Sequence, residues 1–103
     1  MGLFLQSYSK DPDSTELYRV DFAPLMLENE YNQIDVTGYE IIIETGVSVV
    51  HSFLEGSIVG AYIGGGSSGS SYLITFRIKL KNPSGAGNDV SLDRSIKLSI
   101  TQL

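Results

Sequence analysis

The stretch "IGGGSSGSSYLITFRIKLK", Ile63 to Lys81, decides the fold. Its glycines, Gly64-Gly65-Gly66-Ser67-Ser68-Gly69, fit the pattern G-x-G-x-x-G. That pattern cradles a dinucleotide phosphate when a strand precedes it, a helix follows it and an acidic residue lies about 20 positions on. The helix is the essential part, because its N-terminal N–H groups and dipole hold the phosphate. Here Tyr72, Ile74, Phe76, Ile78 and Leu80 alternate with Leu73, Thr75, Arg77, Lys79 and Lys81. A period of two with aromatic and β-branched residues on one side is a half-buried strand, not a helix. The glycines therefore read as a turn between two strands, where they let the backbone reverse without strain. No cofactor is expected, and the Gly64–Ser71 loop is expected to be mobile.

Outward from that strand, turn residues punctuate the chain at short intervals, as a β-sandwich requires. A first strand is predicted over Leu3 to Tyr8, followed by the turn "SKDPDST" around Pro12. In "ELYRVDF", Tyr18, Val20 and Phe22 face one way and Leu17, Arg19 and Asp21 the other. The connection "APLMLENEYNQID" follows; "FAPLMLENEY" has room for one short turn of helix, and Pro24 and the lack of a sustained 3.6-residue period argue against more. "VTGYEIIIETG" sets Tyr39, Ile41 and Ile43 against Glu40, Ile42 and Glu44. "VSVVHSFL" and "SIVGAYI" read as two shorter strands. After the long strand comes the turn cluster "NPSGAGND". The last strand runs from about Leu92 to Thr101, with Ile96, Leu98 and Ile100 inward and Arg94, Ser95, Lys97 and Ser99 mostly outward.

About seven strands and no linker or repeat predict a single domain over residues 1–103, an all-β, antiparallel, immunoglobulin-like sandwich. Val20, Tyr39 and Ile74 occupy the three positions that pin such a core, and Tyr72 stands where a corner tyrosine would. The predicted core is Val20, Phe22, Tyr39, Ile41, Ile43, Ile74, Phe76, Ile78, Ile96 and Leu98.

Composition narrows the chemistry. The 103 residues hold no cysteine, so disulfides and thiolate metal sites are excluded and the core must hold by packing. Twelve acidic against seven basic residues give a net charge of −5, which repels phosphate backbones, so no nucleic-acid partner is expected. No apolar segment approaches the roughly 20 residues of a membrane helix. The start, "MGLFLQSYSKDPD", lacks the basic leader and apolar run of a secretory signal. Arg77, Lys79 and Lys81 read as a solvated sheet face that discourages edge pairing.

Side chains able to do catalysis are sparse. A Ser-His-Asp triad would have to use His51, the only histidine, which sits in a strand as a surface residue. Asp11, Asp13 and Glu16 lack the glycine and later glutamate of an EF-hand loop and read as turn residues. Glu40 and Glu44, spaced like a carboxylate pair for glycoside hydrolysis, fall on a solvent-side parity. No enzyme is expected.

Three blocks spanning nearly the whole chain carry a family resemblance. "LFLQSYSKDPDSTELYRVDF" holds a "KDPD" motif before a strand ending in Asp21-Phe22. "AYIGGGSSGSSYLITFRI" joins an apolar strand, a Gly-Gly turn and a Tyr-led strand. "LDRSIKLSI" closes the chain with Asp93, Arg94 and Ser95. Together they resemble the fiber-tail adaptor proteins of tailed bacteriophages, with Tyr39 in place of a tryptophan usual in the third strand. The resemblance implies a virion structural protein at the neck or tail, assembled in the host cytoplasm, oligomeric in the particle and docking fibers or other virion proteins. It implies no catalysis. A capsid cement protein or a small carbohydrate-binding module are the alternatives, the latter weakened because most aromatics fall on inward parities.

The partner surface is expected where two long connections meet at one end of the sandwich, Ala23 to Asp35 and Asn82 to Ser91. The expected contact residues are Leu25, Met26 and Tyr31 in the first and Gly85 and Ala86 in the second. Leu25 is expected inward and Met26 outward, since Met and aromatic side chains are enriched at interface centres.

Overall fold

The structure, a computed structural model, describes residues 6–31, 34–82, 84 and 89–102. Seven strands and one short helix follow in the order β1 (Gln6–Lys10), β2 (Glu16–Asp21), α1 (Ala23–Glu28), β3 (Val36–Ile42), β4 (Val47–Glu55), β5 (Ile58–Gly65), β6 (Ser71–Leu80) and β7 (Val90–Ile100). They form a four-stranded sheet, β1-β7-β6-β3, and a three-stranded sheet, β2-β5-β4.

β6 is the spine of the larger sheet. Tyr72, Ile74, Phe76, Ile78 and Leu80 are all buried, and the residues between them are not. On β7, Ile96, Leu98 and Ile100 extend the same inner face. The smaller sheet answers with Val59, Ala61 and Ile63 of β5, all fully buried. Each large apolar side chain closed away here contributes roughly 1.5–3 kcal/mol relative to an exposed one.

The outer face of the larger sheet is polar and cross-linked. Arg77 donates to both carboxylate oxygens of Asp93, at 2.8 and 3.0 Å, and reaches Glu40 at 3.3 Å. Thr75 and Ser95 share a hydroxyl bond at 2.8 Å. These pairs lie on neighbouring rungs of the ladder, where side chains of one face meet.

Several expectations need correction. The sheets are not wholly antiparallel: β1 runs parallel to β7, from Gln6 opposite Ile96 to Lys10 opposite Ile100. The first strand meets the last with most of the chain between them, so no hairpin forces the antiparallel sense. Of the predicted first strand, Leu3 to Leu5 lie outside the described residues. The strand also continues to Lys10, whose buried ammonium donates to the Asp11 and Gly65 carbonyls, each at 2.8 Å.

Six of the ten predicted core residues are buried: Phe22, Ile74, Phe76, Ile78, Ile96 and Leu98. Val20, Tyr39, Ile41 and Ile43 are only half-buried against that core. They lie on or beside β2 and β3, which end their sheets and so are covered on fewer sides. Tyr39 spans the sandwich, its hydroxyl 3.0 Å from the Ser52 hydroxyl on the facing sheet.

The glycine loop leads into β6, a strand, as the alternation predicts, but it is tied down instead of loose. Gly66 N–H bonds the Gly46 carbonyl, Gly69 N–H bonds that of Ile100, and Ser67 N–H bonds the Tyr72 hydroxyl at 3.1 Å. The Tyr72 hydroxyl thus reaches back to a backbone N–H five residues upstream. The bond also lowers the Tyr72 pKa, because a backbone donor favours the phenolate. Gly46 makes room for this ring: it has φ +116°, and a Cβ there would stand 2.7 Å from Tyr72 Cε1.

Candidate functional site

The two long connections do meet at one end. Lys81 N–H bonds the Asp35 carbonyl at 3.0 Å, and the Thr37 hydroxyl donates to Asp89 at 2.7 Å. Gly85 and Ala86 lie outside the described residues.

The first connection is helical over Ala23–Glu28. Asp21 Oδ1 accepts from Ala23 N–H and from the Ser57 hydroxyl, both at 2.9 Å, and turns the chain out of β2. Pro24 sits in the first turn, where its missing N–H costs nothing. Met26 N–H then bonds the Phe22 carbonyl.

A spacing of four residues puts Phe22 and Met26 on one helix face, and that face is inward. Both are buried. Met26 is therefore a core residue and not the outward contact expected from the sequence. The outward apolar side chain is its neighbour Leu27, 63% exposed. Leu25 is half-buried as expected, and Tyr31 is half-buried against the core.

The helix ends in a Schellman turn. Tyr31 N–H bonds the Met26 carbonyl at 2.7 Å and Glu30 N–H bonds that of Leu27 at 3.1 Å. The left-handed position usually given to glycine is held by Glu30, at φ 60°. It is the sole residue other than glycine with positive φ among those described.

Beside α1 a groove of about 410 Å³ opens between the sheets. β2 lines it with Arg19, Val20 and Asp21, and α1 with Pro24 and Leu25. β7 contributes Arg94, Ser95 and Ile96, and Gln6 stands at the start of β1. Arg94, expected outward, shares the parity of Ile96 and turns into the groove. Neither arginine stands out in the sequence as a site residue. For Arg94 the signal is present in its parity with Ile96, but its charge argues the other way.

The other candidate chemistry is dispersed. Among the described residues, no three His, Cys, Asp or Glu side chains gather to hold a metal. Asp11 accepts the Asp13 N–H and Glu16 accepts the Ser14 hydroxyl, which is turn bonding. Glu40 pairs with Arg77, while Glu44 accepts the Leu73 N–H. His51 is exposed on the outer face of the smaller sheet, its ring 5.9 Å from that of Tyr62 and 6.4 Å from that of Phe53.

One group outside the groove is strongly perturbed. The Tyr18 hydroxyl is buried with no hydrogen-bond partner among the described residues. Its pKa is pushed up to about 12, first by desolvation and then by the charges of Glu16 and Tyr8. It reads as a core tyrosine, its ring 5.3 Å from that of Tyr8.

Comparison with family models, with curated proteins and with solved structures finds no match for the chain.

Proposed function

We propose that this chain is a non-enzymatic virion structural protein of a tailed bacteriophage, an adaptor at the neck or tail that docks other virion proteins. The observation that carries it is the α1 end: a groove open between two sheets and lined by Pro24 and Leu25 of α1, the helix that also exposes Leu27, on a scaffold with a buried apolar core. Binding surfaces are disproportionately built from such irregular connections on rigid frames. We read the frame as an immunoglobulin-like sandwich. The strand orders β1-β7-β6-β3 and β2-β5-β4 and the corner bond of Tyr72 support that reading. The family resemblance supplies the virion context, and with it an oligomeric arrangement in the particle.

Mass spectrometry of purified particles tests this. The chain is expected in particles at a low copy number set by tail symmetry, and Leu27→Asp is expected to remain folded and be left out. Absence of the wild-type chain from particles overturns the proposal, and hundreds of copies turn it toward capsid cement.

One observation favours a second reading. Tyr62, His51 and Phe53 form an aromatic group on the outer face of the smaller sheet, the kind of platform on which sugar rings stack. Retention on an immobilised glycan that Tyr62→Ala abolishes would establish a carbohydrate-binding module instead.

A further inference from the structure

β4 ends the smaller sheet, with β5 on one side and no strand on the other among the described residues. The ladder tells which backbone groups face that open side. Phe22 N–H bonds the Ser57 carbonyl, so by alternation Val59 and Ala61 turn their bonds to β2, and Ile58, Gly60 and Tyr62 turn theirs to β4. Their partners Glu55, Phe53 and His51 are thereby satisfied, while Ser52 and Leu54 direct N–H and C=O outward. No stretch outside the described residues is placed to run along this edge. Residues 1–5 precede Gln6 on β1, at the far edge of the other sheet, with β7, β6 and β3 between. Residues 32–33 join Tyr31 to Ile34, which are bonded to each other, and residues 85–88 join Ser84 to Asp89, which is held by Thr37. At roughly 3.5 Å per residue, neither of these closed stretches spans His51–Glu55.

Charge sets this edge apart. The other edge strands carry charged residues: Lys10 on β1, Glu16, Arg19 and Asp21 on β2, Glu40 on β3. Charged side chains keep an edge from pairing with another strand. β4 has no Lys, Arg or Pro, and its one formal charge is Glu55, at its end. The bulge between Val49 and His51 confines regular pairing to His51–Glu55. Leu54 packs against the core, so Phe53 and Glu55 beside it face outward, and His51 shares their face. The Phe53 ring lies over Gly60, where a Cβ would stand 2.3 Å from it. His51 and Glu55 are exposed, and neither has a hydrogen bond or ion pair among the described residues.

We propose that β4 pairs antiparallel with β4 of a second copy of this chain, with Phe53 on the two-fold axis, joining two three-stranded sheets into one of six. The inference rests on the oligomeric arrangement proposed above and names its surface. Antiparallel pairing of like strands is self-complementary, as a two-fold interface requires. Centred on Phe53, it sets Ser52 opposite Leu54 of the second copy as a hydrogen-bonded pair, twice over. It sets Phe53 against its own counterpart. It brings the His51 ring N–H to the Glu55 carboxylate of the second copy, again twice. Aromatic with aromatic and donor with acid are the cross-strand pairs that stabilise a ladder. Centred one residue earlier, the pairing runs into the bulge; centred one later, His51 meets no acid.

The full chain has no cysteine, so single cysteines report the register. Non-hydrogen-bonded partners lie about 4.5 Å apart at Cα, within disulfide reach. Under mild oxidation Phe53→Cys should cross-link to itself, and a mixture of His51→Cys and Glu55→Cys should give the mixed dimer. Glu55→Cys alone and Leu73→Cys alone, the latter exposed on the larger sheet, should give none. The mixed pair decides the matter if Phe53→Cys fails to fold, since His51 and Glu55 are exposed. Sedimentation velocity should show wild type dimerising as concentration rises. His51→Glu, which sets like charges opposite each other twice, should weaken the dimer about tenfold, and His51→Lys should tighten it. A chain that stays monomeric at millimolar concentration would overturn the inference. So would Leu73→Cys cross-linking as well as the β4 pairs, a dimer that His51→Glu and His51→Lys leave unchanged, or β4 cross-links formed only to a different virion protein. The two proposals fail separately. A β4 dimer in solution whose chain is absent from particles keeps this inference and removes the virion reading, and a monomer found in particles does the reverse.

Discussion

The β6–β7 ladder and the α1 end are built from the same chain by opposite rules. Along the ladder every level agrees. Apolar residues alternate inward, their polar neighbours pair across strands, and Arg77 finds both Asp93 and Glu40. These contacts hold Arg77 in its charged form, its pKa raised chiefly by the hydrogen bond and charge of Asp93. At the α1 end the rules are broken locally: a glutamate stands in a glycine conformation, Leu27 faces solvent, and the two arginines of the groove have no acid among the described residues. Consistency across levels marks regions selected for a unique fold, and its local failure marks regions open to function. The difference teaches where to look for contact surfaces when no catalytic group stands out.

Substitutions can break that comparison. Phe76→Ala, at the centre of the ladder, should cost about 3–5 kcal/mol in denaturant titration, from lost burial and the cavity left behind. A domain of this size has only roughly 5–15 kcal/mol in total, so the variant should be marginal. A loss below about 1 kcal/mol would mean that the ladder is not the stabilising element.

A smaller effect is expected from alkali. Tyr18 titrates near the ordinary tyrosine value of 10.0 in the unfolded chain and at about 12 in the fold. Between those values the unfolded state loses a proton that the folded state keeps. Stability should therefore be intact below pH 10 and fall as pH rises toward about 12. Comparing the pH dependence of unfolding in wild type and Tyr18→Phe isolates this part, since the variant lacks that proton.

Glu30→Gly should move the other way. It removes the steric cost of a left-handed side chain, roughly 1–2 kcal/mol, part of which the greater freedom of unfolded glycine offsets. A net gain of about 0.5–1 kcal/mol is expected from these two terms. A destabilised variant would show that the Glu30 side chain makes a contact worth more than its strain.

Leu27→Asp should have the least effect on the isolated chain, within about 0.5 kcal/mol, because the side chain is already in water. A large loss of stability would make Leu27 a core residue, and the contrast with the ladder would disappear.

Strand positions were legible because alternation is a local property of the chain. β6 was readable from Tyr72 to Leu80, which is why a strand and not a helix could be expected after the glycines. The candidate site was legible only in outline. That the first long connection lies at one end of the sandwich could be read, but which of its side chains face outward could not. Met26 and Leu27 differ little in composition or neighbourhood, and one is buried while the other is exposed. Which one is inward depends on how the helix is set against the core. That was settled by the bonds from Asp21 and the docking of Phe22.

By itself, then, the sequence determined the class of element at nearly every described position, the net negative charge and the absence of thiol chemistry. Tertiary structure alone decided the parallel docking of β1 on β7, since partners separated by almost the whole chain leave no local trace. It alone decided the register of β4, where the ladder shifts between Val49 and His51 and leaves Val50 62% exposed. A bulge reverses the facing of every residue beyond it. Leu54 and Val49 both turn toward the core because of it, although their spacing in sequence places them on opposite faces. And it alone brought Arg19 and Arg94 together, because β2 and β7 belong to different sheets and meet only when the sandwich closes.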